Sequence, residues 1–472
     1  MDRLKTDVLV IGAGSGGLSV AAGASQMGAD VVLLEGHEMG GDCLNYGCVP
    51  SKALIASGKA AYAQRHGAPY GVVDAPGLSD YAAAKDHVRD VIAQIAPVDS
   101  QERFEGLGVK VIREFGHFIS PTEVQAGKTV ITARRVVVAT GSTPFVPDIP
   151  GLETVPYETN ETLFDLREKP DRLIIIGGGP IGMEMAQAHV RLGCDVTVVQ
   201  RGRALPKDDP DLAAVVLDSL RAEGVVIEEN TDAVEVKGKA GDIEVVLADG
   251  RSVRGSHLLV AVGRKPSVEK LRPEAAGIKT TSRGIAVDDR LRTSNKKVYA
   301  IGDVAGGMQF THLAGYHASV VIRSILFGLP SKARTAHIPW ATYTDPELAQ
   351  VGLTEEQARK THGSRVEVVR FKYDHNDRAI AERKTQGFIK VVVVRGRPVG
   401  ASIVGVQAGE LISLWALALA NGLKMSQIAA MVAPYPTIGE INKRAAGAYF
   451  SPRLFDNPRI KQVVGLVQRY LP

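Results

Sequence analysis

Two cysteines five residues apart, Cys43 and Cys48, stand in the run GGDCLNYGCVPSK at residues 40–52 and are the side chains in this sequence best suited to redox chemistry. On a regular helix, rising about 1.5 Å per residue, their Cα atoms would lie about 8–9 Å apart. That exceeds the ~7 Å over which a disulfide closes. A bridge therefore requires a distorted helix start, and Gly47 and Pro50 are residues that permit one. Two readings compete with a redox disulfide. One is a metal-binding pair, although no cluster of His or Cys elsewhere completes a set of four ligands; the other is a pair of inert buried thiols. Cys194, beside Gly193 and ahead of an apolar strand, reads as a small buried side chain.

Three cysteines in 472 residues are too few for a secreted disulfide scaffold. The N-terminus passes from Met1 through Thr6 directly into DVLVIGAG, without the pattern of a signal or transit peptide. No run of about 18 apolar residues suggests a membrane span. These features lead to the expectation of a cytoplasmic protein with no membrane partner, in which a close cysteine pair does metal or redox chemistry. Lys and Arg number 56 against 52 Asp and Glu, with no long basic tract, which argues against nucleic acid as a partner.

The elements that must position the cysteines include a pattern that occurs twice. Residues 6–17, TDVLVIGAGSGG, form an apolar strand ending in Gly12, Gly14 and Gly17, and residues 171–182, DRLIIIGGGPIG, repeat it with Gly177, Gly179 and Gly182. A helix-like segment follows each, then a second apolar strand, DVVLLE at 30–35 and DVTVVQ at 195–200. The first glycine makes the tight turn, the second admits a pyrophosphate to the backbone, and the third lets helix and strand pack closely, with the phosphates at the helix N-terminus. Two such units predict dinucleotide binding twice over. At the position that grips the adenosine ribose, the first unit has Glu35, suited to FAD or NAD, and the second has the uncharged Gln200, followed by Arg201 and Arg203. A carboxylate would repel a 2′-phosphate, whereas guanidinium groups pair with one, so NADPH is favoured over NADH. The competing reading has these arginines merely opening a surface loop.

Other segments frame the units. ATGSTP at 139–144, with Thr140 and Gly141, and GLE at 151–153 read as a crossover between domains. AVGRKPS at 261–267, with Gly263, closes the inserted unit, and VYAIGDV at 298–304 is an apolar strand ending in Gly302 and Asp303. After Pro339, FIKVVVV and GASIVGV read as paired strands. Residues 410–432 read as two helices broken at Asn421-Gly422, in a region suited to a dimer interface. His312, His317 and Trp340 are expected to serve local hydrogen bonds and packing.

With both glycine fingerprints, the cysteine motif, ATG, AIGD and the C-terminal half in this order, the chain resembles the class I pyridine nucleotide–disulfide oxidoreductases over essentially its whole length. That is the family of dihydrolipoamide dehydrogenase, glutathione reductase and mercuric reductase. The resemblance implies an α/β fold: an FAD-binding domain at 1–150 and 276–335, a Rossmann-like NAD(P)-binding domain at 151–275, and an α+β dimerisation domain at 336–472. It implies that Cys48 lies nearest the flavin as the charge-transfer thiolate and that Cys43 exchanges with substrate. Lys52 would sit near flavin N5 and pair with Glu184 of PIGME, and Asp303 would bind the ribityl chain. It further implies a homodimer whose active site is shared across the interface, with Tyr435 and Glu440 supplied by the opposite subunit.

The sequence departs from the family at one telling place. Thiol-directed members carry His-Pro-Thr-x-x-Glu, and here the segment is Tyr435-Pro436-Thr437-Ile438-Gly439-Glu440. A free imidazole titrates near ~6.5 and a phenol near ~10, so Tyr435 can donate a proton but is a poor base at neutral pH. Mercuric reductases also carry Tyr there, yet usually end in a vicinal cysteine pair and often have an N-terminal metal-binding domain; this chain ends VGLVQRYLP. The expectation is an NADPH-dependent flavoprotein reductase of a soft metal ion or small disulfide, mercuric reductase-like. The alternatives are a dihydrolipoamide dehydrogenase-like enzyme with an atypical Tyr, a redox-sensing or binding flavoprotein with weak turnover, and a quinone or oxygen reductase.

Overall fold

The protein is described by a computed structural model covering residues 2–75, 77 and 79–471. Its contacts divide it into two compact units, residues 1–201 with 225–334, and residues 202–224 with 335–472.

The first unit is built on parallel strands that meet in apolar, buried segments, Val8–Ile11, Val31–Leu34 and Val136–Val138, as strands covered on both faces must. Asp2–Ile11 pairs with Val31–Leu34 on one side and Thr129–Val138 on the other, in registers that set Ile11 beside both Leu34 and Val138. Val298–Ala300 adds to Thr129–Val138, and an antiparallel pair, Gly116–Ser120 and Glu123–Ala126, extends the sheet. A second sheet of the same unit has the order Val226–Glu228, Asp195–Val199, Arg172–Ile176, His257–Val260, all parallel. Each sheet has a glycine-led helix after its first strand, Ser15–Gln26 and Pro180–Arg191 respectively. These are two Rossmann-like units, in agreement with the fold class read from the repeat.

The second unit is α+β. Five antiparallel strands run in the order Pro339–Thr342, Glu347–Gly352, Arg397–Gly405, Phe388–Val394, Val366–Lys372, with FIKVVVV and GASIVGV adjacent. The apolar stretch after them is two helices, Ala408–Asn421 and Met425–Ala429, divided where Gly422 takes φ +61°. One face of the sheet buries Ile389, Val391, Ala401 and Ile403 with Trp415 of the first of these helices. The opposite face carries a row of polar side chains in register across all five strands: Trp340, Gln350, Ser402, Lys390 and Arg370. This row holds the N-terminal turn of the helix Pro210–Ala222. The Trp340 indole donates to Asp208 at 2.8 Å, and Lys390, almost wholly buried, meets Asp209 and Glu355 at 2.8 Å and Asp211 at 3.2 Å. Trp340 thus carries a hydrogen bond to the helix start beneath it.

A buried cation among carboxylates has no water to replace it if removed. Lys390→Met is expected to destabilise the second unit by about 3–5 kcal/mol. Both tryptophans, Trp340 and Trp415, lie in this unit, so their fluorescence during urea unfolding reads it directly; an unshifted midpoint would show that the carboxylates do not depend on Lys390.

Candidate active site

The two glycine turns are geometric copies. Gly12 has φ +106° and Gly177 φ +117°, and a Cβ on either would come within 2.4 Å of a carbonyl oxygen, of Ala139 and Ala261 respectively. Gly17 and Gly182 lie so close to the turn that a Cβ would stand 1.8 and 1.9 Å from the oxygens of Gly12 and Gly177. Between them, Gly14 and Gly179 share a backbone conformation (φ −79°, ψ −178° and φ −78°, ψ −178°), lead their helices without a side-chain cap, and face open space. Uncapped first-turn amides beside an open glycine suit a pyrophosphate. The donor set therefore fits the dinucleotides that the repeat predicts.

Glu35 and Gln200 occupy equivalent places. A Glu35 carboxylate oxygen accepts from Ala13 N at 2.6 Å, and the Gln200 side-chain oxygen accepts from Gly178 N at 2.7 Å. Glutamine thus keeps the loop-closing hydrogen bond and removes the charge. Arg201 is exposed beside Asp232 at 3.4 Å. Arg203 belongs to the other compact unit, where it donates to the Asp208 carbonyl at 3.1 Å.

The cysteines lie on two helices rather than one. Gly41–Asn45 ends at Tyr46, Gly47 turns the chain (φ −123°, ψ −110°), and Cys48 opens the helix Cys48–Gln64. Gly47 is required by proximity: a Cβ there would be 2.7 Å from a carboxylate oxygen of Asp42 and 2.9 Å from its carbonyl oxygen. Pro50 sits in the first turn, where no intrahelical donor is needed. The break brings the two thiols within hydrogen-bonding reach of each other. Both are free thiols, and Cys48 Sγ is 3.3 Å from Thr311 Oγ1.

The Cys48 thiol is pulled down to about 6, chiefly by the hydrogen bond from Cys43; burial opposes this, and Thr311 and the Lys52 charge add to it. The helix start supplies a further field favouring thiolate. Cys43 is pushed well above the thiol range by its hydrogen bond to Cys48, by burial and by the Cys48 charge. The contact between the two sulfurs, the Lys52 charge and the helix start thus all favour thiolate at Cys48. Lys52, one turn along the helix, meets the buried Glu184 at 2.8 Å.

A network that the sequence reading passed over supports this arrangement. Arg264, largely buried, donates to the Ser142 hydroxyl at 2.7 Å and carbonyl at 2.8 Å and pairs with Asp42 at 2.9 Å. Ser142 in turn donates to Asp303 at 2.6 Å, and Asn160 joins Asp42 and the Tyr46 carbonyl, each at 3.0 Å. Burial holds Asp303 above the usual carboxylate range, against the pull of Ser142 and Arg264. Thr140 and Gly141 bond to Ser267 at the short ladder Ser142–Pro144 with Arg264–Pro266, and Gly263 accepts from Phe145 N. The available signals were the Asp next to the first cysteine and the Arg inside AVGRKPS. His317 accepts from Gly302 N at 3.2 Å and burial lowers it to about 4, a local structural role, while His312 stacks on Phe310. Cys194 is buried, and burial raises it to about 11.

In the second unit Tyr435 is exposed and its hydroxyl donates to Asp377 at 2.7 Å. That hydrogen bond and the Asp377 charge hold the phenol above its ordinary range. Glu440 opens the helix Glu440–Phe455 and lies 3.9 Å from Arg444. The hydrogen-bonded acid of Tyr435 is therefore Asp377, a residue the motif does not contain.

Alkylation of the reduced protein is expected to rise with an inflection near pH 6, where Cys48 ionises. Cys43→Ala should move that inflection upward, since it removes the largest stabilising contact. A single inflection near the ordinary thiol value of about 8.5 in both proteins would contradict the lowering of Cys48 by Cys43.

Residues 6–318 match the model of the pyridine nucleotide-disulphide oxidoreductases, and residues 338–446 match the dimerisation domain of the same proteins. A mercuric reductase of Streptomyces lividans is 32% identical over 458 residues, covering 94% of this chain and 96% of its own length. A mercuric reductase of Bacillus cereus is 33% identical over 441 residues, 92% of this chain and 70% of that protein. A dihydrolipoyl dehydrogenase of Geobacillus stearothermophilus is 32% identical, with coverage of 94% and 96%. Among solved structures, the HOCl-induced flavoprotein disulfide reductase RclA from Escherichia coli superposes with a TM-score of 0.83 at 28% identity, over 93% of this chain and 99% of that one. With its paired glycine turns, its cysteine pair and its C-terminal sheet, the chain belongs to the pyridine nucleotide–disulfide oxidoreductase family of flavoproteins.

Proposed function

We propose that this protein is an NADPH-dependent flavoprotein disulfide reductase that uses Cys43 and Cys48 to reduce a soft metal ion, in the manner of a mercuric reductase. The observation that carries this reading is the cysteine pair brought together at the Gly47 break, with Cys48 at a helix start, joined to a motif that offers Tyr435 where a base would stand. We assign the FAD-binding domain to residues 1–150 and 276–335, the NAD(P)-binding domain to 151–275 and dimerisation to 336–472. The homodimer is taken to complete the site with Tyr435 and Glu440 from the opposite subunit, in the cytoplasm.

Gly12, Gly14, Gly17, Glu35, Thr140, Gly141 and Asp303 would hold FAD, and Gly177, Gly179, Gly182, Gln200, Arg201, Arg203 and Gly263 the nicotinamide dinucleotide. Bound FAD supplies a two-electron relay between nicotinamide and the cysteines. Reduction of the Cys43–Cys48 disulfide takes two electrons and one proton, leaving Cys48 as thiolate and Cys43 as thiol. Lys52, fixed by Glu184, and the helix start stabilise the thiolate. A soft cation displaces the Cys43 proton as it binds sulfur and needs no base. A disulfide acceptor needs Cys43 deprotonated before attack and its leaving thiolate protonated afterwards. Tyr435, with its hydroxyl on Asp377, can serve the second need but not the first. The second reading, a dihydrolipoamide dehydrogenase-like enzyme, draws on the near full-length similarity to the Geobacillus protein.

NADPH oxidation measured with thiol-bound Hg(II), lipoamide and glutathione disulfide is expected to be fast with Hg(II) alone; fast lipoamide turnover would put the second reading first. Cys43→Ser should reduce acceptor turnover to background while NADPH still bleaches the flavin, and loss of both would contradict the division of roles. Arg201→Glu is expected to swing the coenzyme preference toward NADH, and an unchanged ratio would remove Arg201 from the 2′-phosphate site.

A further inference from the structure

The last helix, Pro458–Tyr470, follows the segment matched to the dimerisation domain, which ends at residue 446. None of its described residues is buried. Most of its apolar side chains nevertheless fall on one stripe: Ile460, Val463, Val464 and Val467 recur at helical spacing, with Tyr470 and Leu471 continuing it, while the exposed Leu466 lies beside the stripe on the side of Arg459. Val463 is 58% exposed, Val464 52% and Val467 41%. Leu454 and Phe455, at the end of the preceding helix, are exposed as well. The opposite face carries Lys461 and Arg469, and Arg459 flanks the stripe; residues 457–471 contain no Asp or Glu.

An exposed apolar stripe on a helix whose charged side chains are all cations, with an aromatic near its end, is the pattern of a helix that lies in a lipid–water interface. We infer that the helix Pro458–Tyr470 docks this protein on an anionic phospholipid surface. The charge favours this occupant over the equivalent helix of a second copy, which would present the same three cations and no carboxylate to meet them. Thirteen residues are too few to cross a bilayer, so the contact is peripheral. It parts from the expectation of no membrane partner, which rested on the length of apolar runs and took no account of their arrangement around a helix. Among the described residues no helix is long and apolar enough to span a membrane.

The test is co-sedimentation of the FAD-loaded full chain with vesicles of phosphatidylcholine alone or mixed three to one with phosphatidylglycerol. Binding to the mixed vesicles is expected to be about tenfold or more stronger and to weaken as salt is raised. The double variant V463E/V467E should lose binding to both kinds of vesicle. The variant K461Q/R469Q should lose the preference for phosphatidylglycerol. Both should retain the parent's circular dichroism, because none of the substituted side chains is buried. The inference is overturned if the parent does not sediment, or if V463E/V467E binds like the parent. It is equally overturned if V463E/V467E changes the sedimentation coefficient without vesicles, which would mean that another copy covers the stripe.

Discussion

The close approach of Gly47 to Asp42 is the contact on which the redox centre depends. Because no Cβ intervenes, the chain can end one short helix and begin another within three residues, which places Cys48 at a helix start and Cys43 against its sulfur. Asp42 is more than a turn residue: through Arg264 and Ser142 it is joined to Asp303, and through Asn160 to the Tyr46 carbonyl. The segment that could be most mobile, two short helices meeting at a glycine, is thereby tied to strands at the edge of the nucleotide-binding core. A thiolate favoured chiefly by its neighbouring thiol needs this fixity, since the contact with Cys43 is the largest influence lowering Cys48.

The two nucleotide-binding units show how far a backbone can be preserved while its chemistry is altered. Turn, helix start and strand register coincide, down to a loop amide held by a side-chain oxygen from the second strand. Only the charge of that side chain differs. A single exchange of carboxylate for amide leaves the scaffold untouched and removes the negative charge at the end of the second strand.

What could be read from the sequence follows from range. The glycine turns, the strands beside them and the break at Gly422 were legible because each is dictated by neighbours in the chain: a positive φ, an apolar run or a missing Cβ. The need for a distorted helix start was legible from the spacing of Cys43 and Cys48, and Gly47 and Pro50 fulfil it. Arg264, Asn160, Thr311 and Asp377 were not legible, because each acts on a residue between 58 and 263 positions away. Nothing local separates such an Arg or Asp from a solvated charge. The helical stripe at 460–471 was overlooked for a different reason: length was weighed and angular arrangement was not.

The polar row across the C-terminal sheet bears on how this protein can be taken apart or recombined. Residues 202–224 sit, by position in the chain, within the stretch that supplies the second nucleotide-binding unit, yet their acidic side chains find their partners on strands 132 to 181 residues later. The protein is therefore not modular along its sequence. A hybrid whose dimerisation sheet comes from a relative loses Trp340, Arg370 and Lys390 from beneath this helix, and unless residues 202–224 are exchanged with the sheet it leaves Asp208, Asp209 and Asp211 without their counterparts.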